Sequence, residues 1–294
     1  MPWTDRAGRV SGWKLAAFIA AVLPGLWLGW LIASGGGGPK PVTFAIHDTG
    51  TWALWFLIAT LAITPLRRIG NWPKLILARR LLGLTALAYS VIHLGLYVVD
   101  QHFDLGFVVR EIALRAYLTI GFVATLGLLA LGLTSTDGAI RRLGSNWNRL
   151  HKLVYPIAAL GVLHGFMQAK SDVAPATLMA GLFVLLMLYR AAHASRFGLT
   201  RAGLPIVAAM AGAATMAIEY AWYALATGIP AHLVLAANFE IGDEPRPAML
   251  VGLIGLAIAA LGGWRMRGTS ARPRRRGDVR LAACDTPRTA TTTG

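Results

Sequence analysis

Residues 147–166 read WNRLHKLVYPIAALGVLHGF, a stretch that sets two imidazoles, His151 and His164, into a run that is otherwise apolar. Its apolar part, 152–169, approaches the ~20 residues that a helix needs to cross the hydrocarbon of a bilayer. Ionisable side chains are costly there, and those that occur face a bundle interior and mark a site. The rest of the chain is of the same kind. Of 294 residues, 56% are hydrophobic and 14% charged, with a mean hydropathy of +0.57, whereas soluble domains carry about 25% charged residues. Runs of spanning length recur near 13–33, 47–65, 81–99, 112–133, 174–192, 204–227 and 248–264, so eight membrane-spanning helices are predicted. Neither an internal repeat nor barrel-type alternation is present. The expected fold is all-α, a polytopic transmembrane helix bundle.

The net charge of +15 and pI near 11.0 invite a nucleic-acid reading. The placement of the basic residues argues against it. When the loops are assigned alternately to two sides, all of the 28 Lys and Arg residues but Lys40, Arg110, Arg115, Lys170 and Arg246 fall on one side. That bias is the positive-inside signature and predicts both termini in the cytoplasm. Dispersed along the chain, these charges form no single basic face, and no nucleic-acid partner is expected. Residues 268–294, rich in Arg, Pro and Thr, are expected to be a disordered basic tail that touches anionic lipid. The single cysteine, Cys284, lies in that tail, so an internal disulfide and a C-x-x-C-H haem attachment are both excluded. The first apolar run is long for a signal peptide, despite a cleavage-like Ala33-Ser34-Gly35, and is read as a retained helix.

Three histidines fall inside predicted spans: His93 in AYSVIHLGLY, His151 and His164. A neutral imidazole that gives one nitrogen to iron and its other N–H to a carbonyl is satisfied where a lone one would not be. A single membrane histidine bonded to a neighbouring helix is an ordinary structural device, so depth must discriminate. The spans carrying His93 and His164 both run outward, and each histidine lies near the outer end, which predicts one haem clamped between them. His151 opens its span on the cytoplasmic side, about 20 Å from His164 at ~1.5 Å per residue. That spacing leaves room for a second haem, although no histidine on the His93 helix matches it and, on an ideal helix, His151 and His164 do not share a face. Pro156 between them is a candidate kink. His47, His102, His193 and His232 are expected to be exposed, with His102 a weaker candidate near the outer site.

Further blocks accompany these histidines: Thr64-Pro65-Leu66-Arg67-Arg68, Arg79-Arg80-Leu81-Leu82-Gly83-Leu84, Tyr97 after His93, Leu133-Thr134-Ser135, and Gly144 through Trp147 to Leu150-His151-Lys152-Leu153-Val154-Tyr155. In order and spacing, over roughly 47–192, they resemble the MsrQ family of haem-binding membrane subunits of bacterial methionine-sulfoxide reductase systems. The wider group is the ferric-reductase-like transmembrane domain, shared with NADPH oxidases. The resemblance implies a six-helix core that binds haem b, and FMN, and carries electrons outward. The donor would be the quinol pool or a cytoplasmic flavin reductase, and the acceptor a periplasmic molybdopterin-containing methionine-sulfoxide reductase. His93, His151 and His164 match the family's haem-associated histidines, His151 less firmly as an axial ligand. No residue is assigned to FMN: Arg79, Arg80 and Lys152 suit a phosphate, a propionate or a lipid headgroup, and topology already accounts for them.

The expected division is 1–46 for the N-terminal segment, first helix and outer linker; 47–192 for the haem-binding core; 193–267 for two extra helices; and 268–294 for the tail. The extra part includes an outer loop with Glu240, Asp243 and Glu244, and places Glu219 in a span, where it needs a partner. Two rivals remain. A ferric-reductase or oxidase-type cytochrome b with another acceptor would draw on a flavin and nicotinamide domain, for which the sequence holds no soluble stretch of sufficient size. A transporter or assembly protein would keep the histidines for structure alone.

Overall fold

A computed structural model of the protein describes residues 4, 8–169, 172–195, 198–240 and 244–270, with side chains to 264. The tail beyond 270 with Cys284, and also Arg6, Lys170, Arg196 and Asp243, lie outside the described residues. Among the described residues, eight helices are long and apolar enough to cross a membrane: Gly12–Ala33, Pro41–Ile69, Pro73–Asp100, Ala116–Leu133, Ser145–Gln168, Ala174–Ala194, Gly203–Ala226 and Pro247–Trp264. The expected polytopic bundle is therefore the fold.

In chain order the helices are α1 (Gly12–Ala33), α2 (Pro41–Ile69), α3 (Ile76–Asp100), α4 (Leu105–Leu114), α5 (Ala116–Leu133), α6 (Asp137–Leu143), α7 (Ser145–His151), α8 (Val154–Gln168), α9 (Ala174–Ala194), α10 (Gly203–Ala226), α11 (Ala231–Ala237) and α12 (Pro247–Ser270). One predicted element differs from this. The stretch 112–133 is not one helix: Arg115 is extended at φ −107° and ψ 108°, and it separates α5 from the short α4. Asp104 caps α4 by accepting from the Phe107 amide at 2.9 Å, and Leu105, Val109 and Leu114 stand exposed along it, as on a helix lying in a membrane interface. The connection that follows α5 is itself partly helical and contains α6 and α7.

The second break follows from Pro156. Proline has no N–H, so the Lys152 carbonyl loses its usual partner four residues on. It accepts instead from the Tyr155 amide at 3.1 Å, and the chain turns tightly through Lys152 and Leu153 between α7 and α8. The same logic ties α2 to α9. Pro65 inside α2 orphans the Leu61 carbonyl, and Arg190 of α9 donates to it at 2.5 Å. A second Arg190 nitrogen donates to the Leu186 carbonyl at 2.8 Å, Nε to the Tyr155 hydroxyl at 3.3 Å, and the guanidinium lies 5.3 Å from the Tyr155 ring centre.

α2 and α9 form the interior, with Phe56, Leu57, Leu61, Leu185, Leu186 and Tyr189 buried. α1 packs on α3, where the Tyr89 hydroxyl donates to the Ala21 carbonyl at 2.9 Å. α10 and α12 pack on each other and on α9. Glu219 of α10 is 2% exposed and does have partners: Asn238 Nδ2 donates to it at 2.9 Å and Arg246 stands 3.7 Å away. Glu240 and Glu244 are exposed.

Candidate functional site

The start of α2, the end of α3, the start of α5 and the end of α8 meet around a cavity of about 370 Å³. Its lining includes His93, Tyr97, Tyr117, Ser90, Thr125 and His164, over a largely aliphatic wall. His93 and His164 face each other there, ring centres 6.1 Å apart and planes at 82°. Each imidazole is held by the helix beside it. His93 Nδ1 lies 2.7 Å from the Ile46 carbonyl oxygen of α2, and His164 Nδ1 lies 2.8 Å from the Tyr117 carbonyl oxygen of α5. A carbonyl can only accept, so Nδ1 carries the proton in both rings and each Nε2 keeps its lone pair.

A haem fits these residues. Two metal–imidazole bonds of about 2 Å, with roughly 1 Å from each nitrogen to its ring centre, add to about 6 Å, which is the separation seen between the rings. A donated Nδ1–H is also what fixes the tautomer and basicity of a metal-bound histidine. Deeper in the cavity, Ser90 and Thr125 bond across α3 and α5 at 2.8 Å, and Thr125 donates to the Gly121 carbonyl at 3.0 Å. At the rim, the Tyr117 hydroxyl accepts from Arg115 at 3.4 Å; this bond and the neighbouring Glu111 carboxylate, which pairs with Arg115, hold the guanidinium pKa above its ordinary value.

Residues 49–162 match the ferric reductase like transmembrane component family. The protein-methionine-sulfoxide reductase heme-binding subunit MsrQ of Rhodospirillum rubrum is 41% identical over 194 residues, covering 65% of this chain and 91% of that one. The subunit of the same name from Xanthomonas oryzae pv. oryzae is 46% identical over 169 residues, 56% of this chain and 76% of its own. The chain belongs to the MsrQ family. No solved structure matches it.

In this member of the MsrQ family the structure brings two of the three candidate histidines together. His151 ends α7, on the far side of the Pro156 break, and does not line the cavity. It stacks on Trp147 at 3.9 Å, and no other described imidazole stands against it. Its Nδ1 lies 3.1 Å from the Trp147 carbonyl oxygen, and its Nε2 is 3.3 Å from Ser135 Oγ. That hydroxyl has one proton, which its 2.7 Å bond to the Leu131 carbonyl takes, so both ring nitrogens of His151 face hydrogen-bond acceptors, unlike those of His93 and His164. His102 is exposed and off the cavity lining, as are His193 and His232. His47 is exposed as expected yet reaches the cavity rim.

Tyr97 and Tyr117 also line the cavity. The carbonyls of Ile46 and Tyr117 were missed altogether by sequence reasoning, because backbone groups carry no residue signature. A glycine four positions after each, Gly50 and Gly121, was the only available sign.

Proposed function

We propose that this chain is a haem b-binding electron-transfer subunit of the bacterial inner membrane. It takes electrons from the quinol pool or a cytoplasmic flavin reductase and delivers them to a periplasmic molybdopterin-containing methionine-sulfoxide reductase. The observation that carries the reading is the His93/His164 pair, whose ring centres stand at bis-imidazole spacing with both Nδ1 protons given to carbonyls, in a MsrQ-family chain. Bound between them, haem supplies a one-electron carrier whose potential is set by axial ligands, burial and hydrogen bonds.

The residues divide the remaining work. His93 and His164 orient and grip, each holding its proton on Nδ1 against a carbonyl. The aliphatic wall from α2, α5 and α8 excludes water. Tyr97, Tyr117 and Arg115 stand at the rim, the side from which a periplasmic acceptor would approach when both termini are cytoplasmic. FMN enters by family resemblance, with no residue assigned. We read 47–192 as the haem-binding core, 1–46 and 193–267 as its flanking helices, and 268–294 as a lipid-contacting tail.

His93→Ala or His164→Ala is expected to remove most of the dithionite-reduced haem b absorption of the purified protein, and full haem content in both variants would defeat the pairing. A second reading follows from the family match of His151: its Nε2 would hold a second haem, giving up its contact with Ser135. The described residues offer that haem no second imidazole, so its other ligand is unassigned. Haem analysis tests it. His151→Ala should lower the haem-to-protein ratio while the His93/His164 spectrum persists, and an unchanged ratio assigns His151 to its Trp147 and Ser135 contacts alone.

A further inference from the structure

The two facing histidines are held by the same local device, used twice. His93 bonds the carbonyl of Ile46 and lies on Gly50; His164 bonds the carbonyl of Tyr117 and lies on Gly121. In each case the glycine is four residues beyond the bonded carbonyl, so it sits one helical turn on and on the same face. A Cβ at Gly50 would fall 2.9 Å from His93 Nδ1 and 3.0 Å from its Cε1, and one at Gly121 would fall 2.8 Å from both Nδ1 and Cε1 of His164. Both are closer than a side chain tolerates, and both imidazoles are packed against helices, so each ring would have to leave its carbonyl. Close glycine contacts occur elsewhere in the bundle, at 2.7 Å from Gly127 to Ile157 and closer still from Gly181 to Thr215, but among the described glycines only Gly50 and Gly121 meet an imidazole, and a Cβ at Gly95, on the His93 helix, would meet nothing within 4 Å.

We propose that Gly50 and Gly121 are positioning residues for the haem ligands. Each opens a helix surface so that an imidazole can lie flat against it and donate to the carbonyl beneath, and the two cradles together hold the ligand planes crossed, near the observed 82°. The inference rests on the haem reading above and adds what sets ligand orientation. Crossed imidazole planes give ferric low-spin haem a strongly anisotropic electron paramagnetic resonance signal, whereas near-parallel planes give a rhombic one. The Nδ1–H···O=C bond raises ligand basicity and so favours the ferric state, which means that losing it moves the reduction potential upward.

The test uses the full-length, haem-loaded protein. The wild type is expected to show the strongly anisotropic signal, and so is Gly95→Ala, a methyl added to the His93 helix in open space. Gly50→Ala and Gly121→Ala are expected to convert that signal to the rhombic form and raise the midpoint potential, or to lose haem while remaining monodisperse. A rhombic wild-type signal overturns the proposal while leaving bis-imidazole haem binding intact, as do Gly50→Ala and Gly121→Ala proteins indistinguishable from wild type in both readouts. Should both variants fail to fold, the wild-type signal alone decides. A colourless wild-type protein overturns the haem reading itself and this inference with it.

Discussion

At the scale of single residues, Arg190, His93 and His164 each serve a specific backbone carbonyl. Arg190 sits among apolar helices because Pro65 leaves the Leu61 carbonyl without an amide, and a guanidinium has enough donors to serve Leu61, Leu186 and Tyr155 at once. An unmet buried acceptor costs about 1–3 kcal/mol. Arg190→Met should therefore lower the thermal midpoint in detergent. Its effect should shrink on a Pro65→Ala background, where the substitution returns a backbone amide to the same carbonyl; equal effects on both backgrounds would mean that Arg190 acts elsewhere. His93 and His164 follow the same rule in reverse, since their Nδ1 protons go to helix carbonyls and their Nε2 lone pairs are left unspent. Sequence showed which residues were anomalous in a membrane, but not what satisfied them, because a backbone carbonyl is present at every position.

Among the elements, α7 and α8 show how one proline changes the reading of a segment. On a continuous helix, thirteen residues from His151 to His164 turn their side chains to different faces at ~100° per residue. The Pro156-induced turn ends that relation at Lys152 and Leu153 and lets His151 lie against Trp147 and Ser135. Pro156→Ala supplies the missing N–H and is expected to join α7 to α8. Hydrogen exchange of the amides from 152 to 156 should slow, and unchanged exchange would assign the break to tertiary packing. The split of 112–133 into α4 and α5 was not legible, since both halves are apolar and only the extended Arg115 divides them.

For the whole molecule, α10–α12 form a unit around α9 whose polar knot is Glu219, Asn238 and Arg246. Asn238 Oδ1 is buried without a hydrogen-bond partner. Glu219→Gln retains an acceptor for Asn238 Nδ2 and gives up only the 3.7 Å contact with the part-exposed Arg246, so it should stay close to wild-type thermal stability. Glu219→Ala strands the Asn238 amide and should cost about 1–3 kcal/mol, with the His93/His164 haem spectrum unchanged because the knot lies off that cavity; a lost spectrum would show that the C-terminal unit supports the core. Eight spans and three anomalous imidazoles were determined by the sequence alone, since length and polarity suffice once the solvent is hydrocarbon. Depth along two outward-running spans already set His93 opposite His164, but only the tertiary structure decided that their rings face each other at 6.1 Å, which carbonyls hold them, and that His151 lies against Trp147 and Ser135. In a bilayer the lipid-facing and core-facing sides of a helix are equally apolar, so residue pattern does not encode which faces meet, and packing on glycines and orphaned carbonyls does.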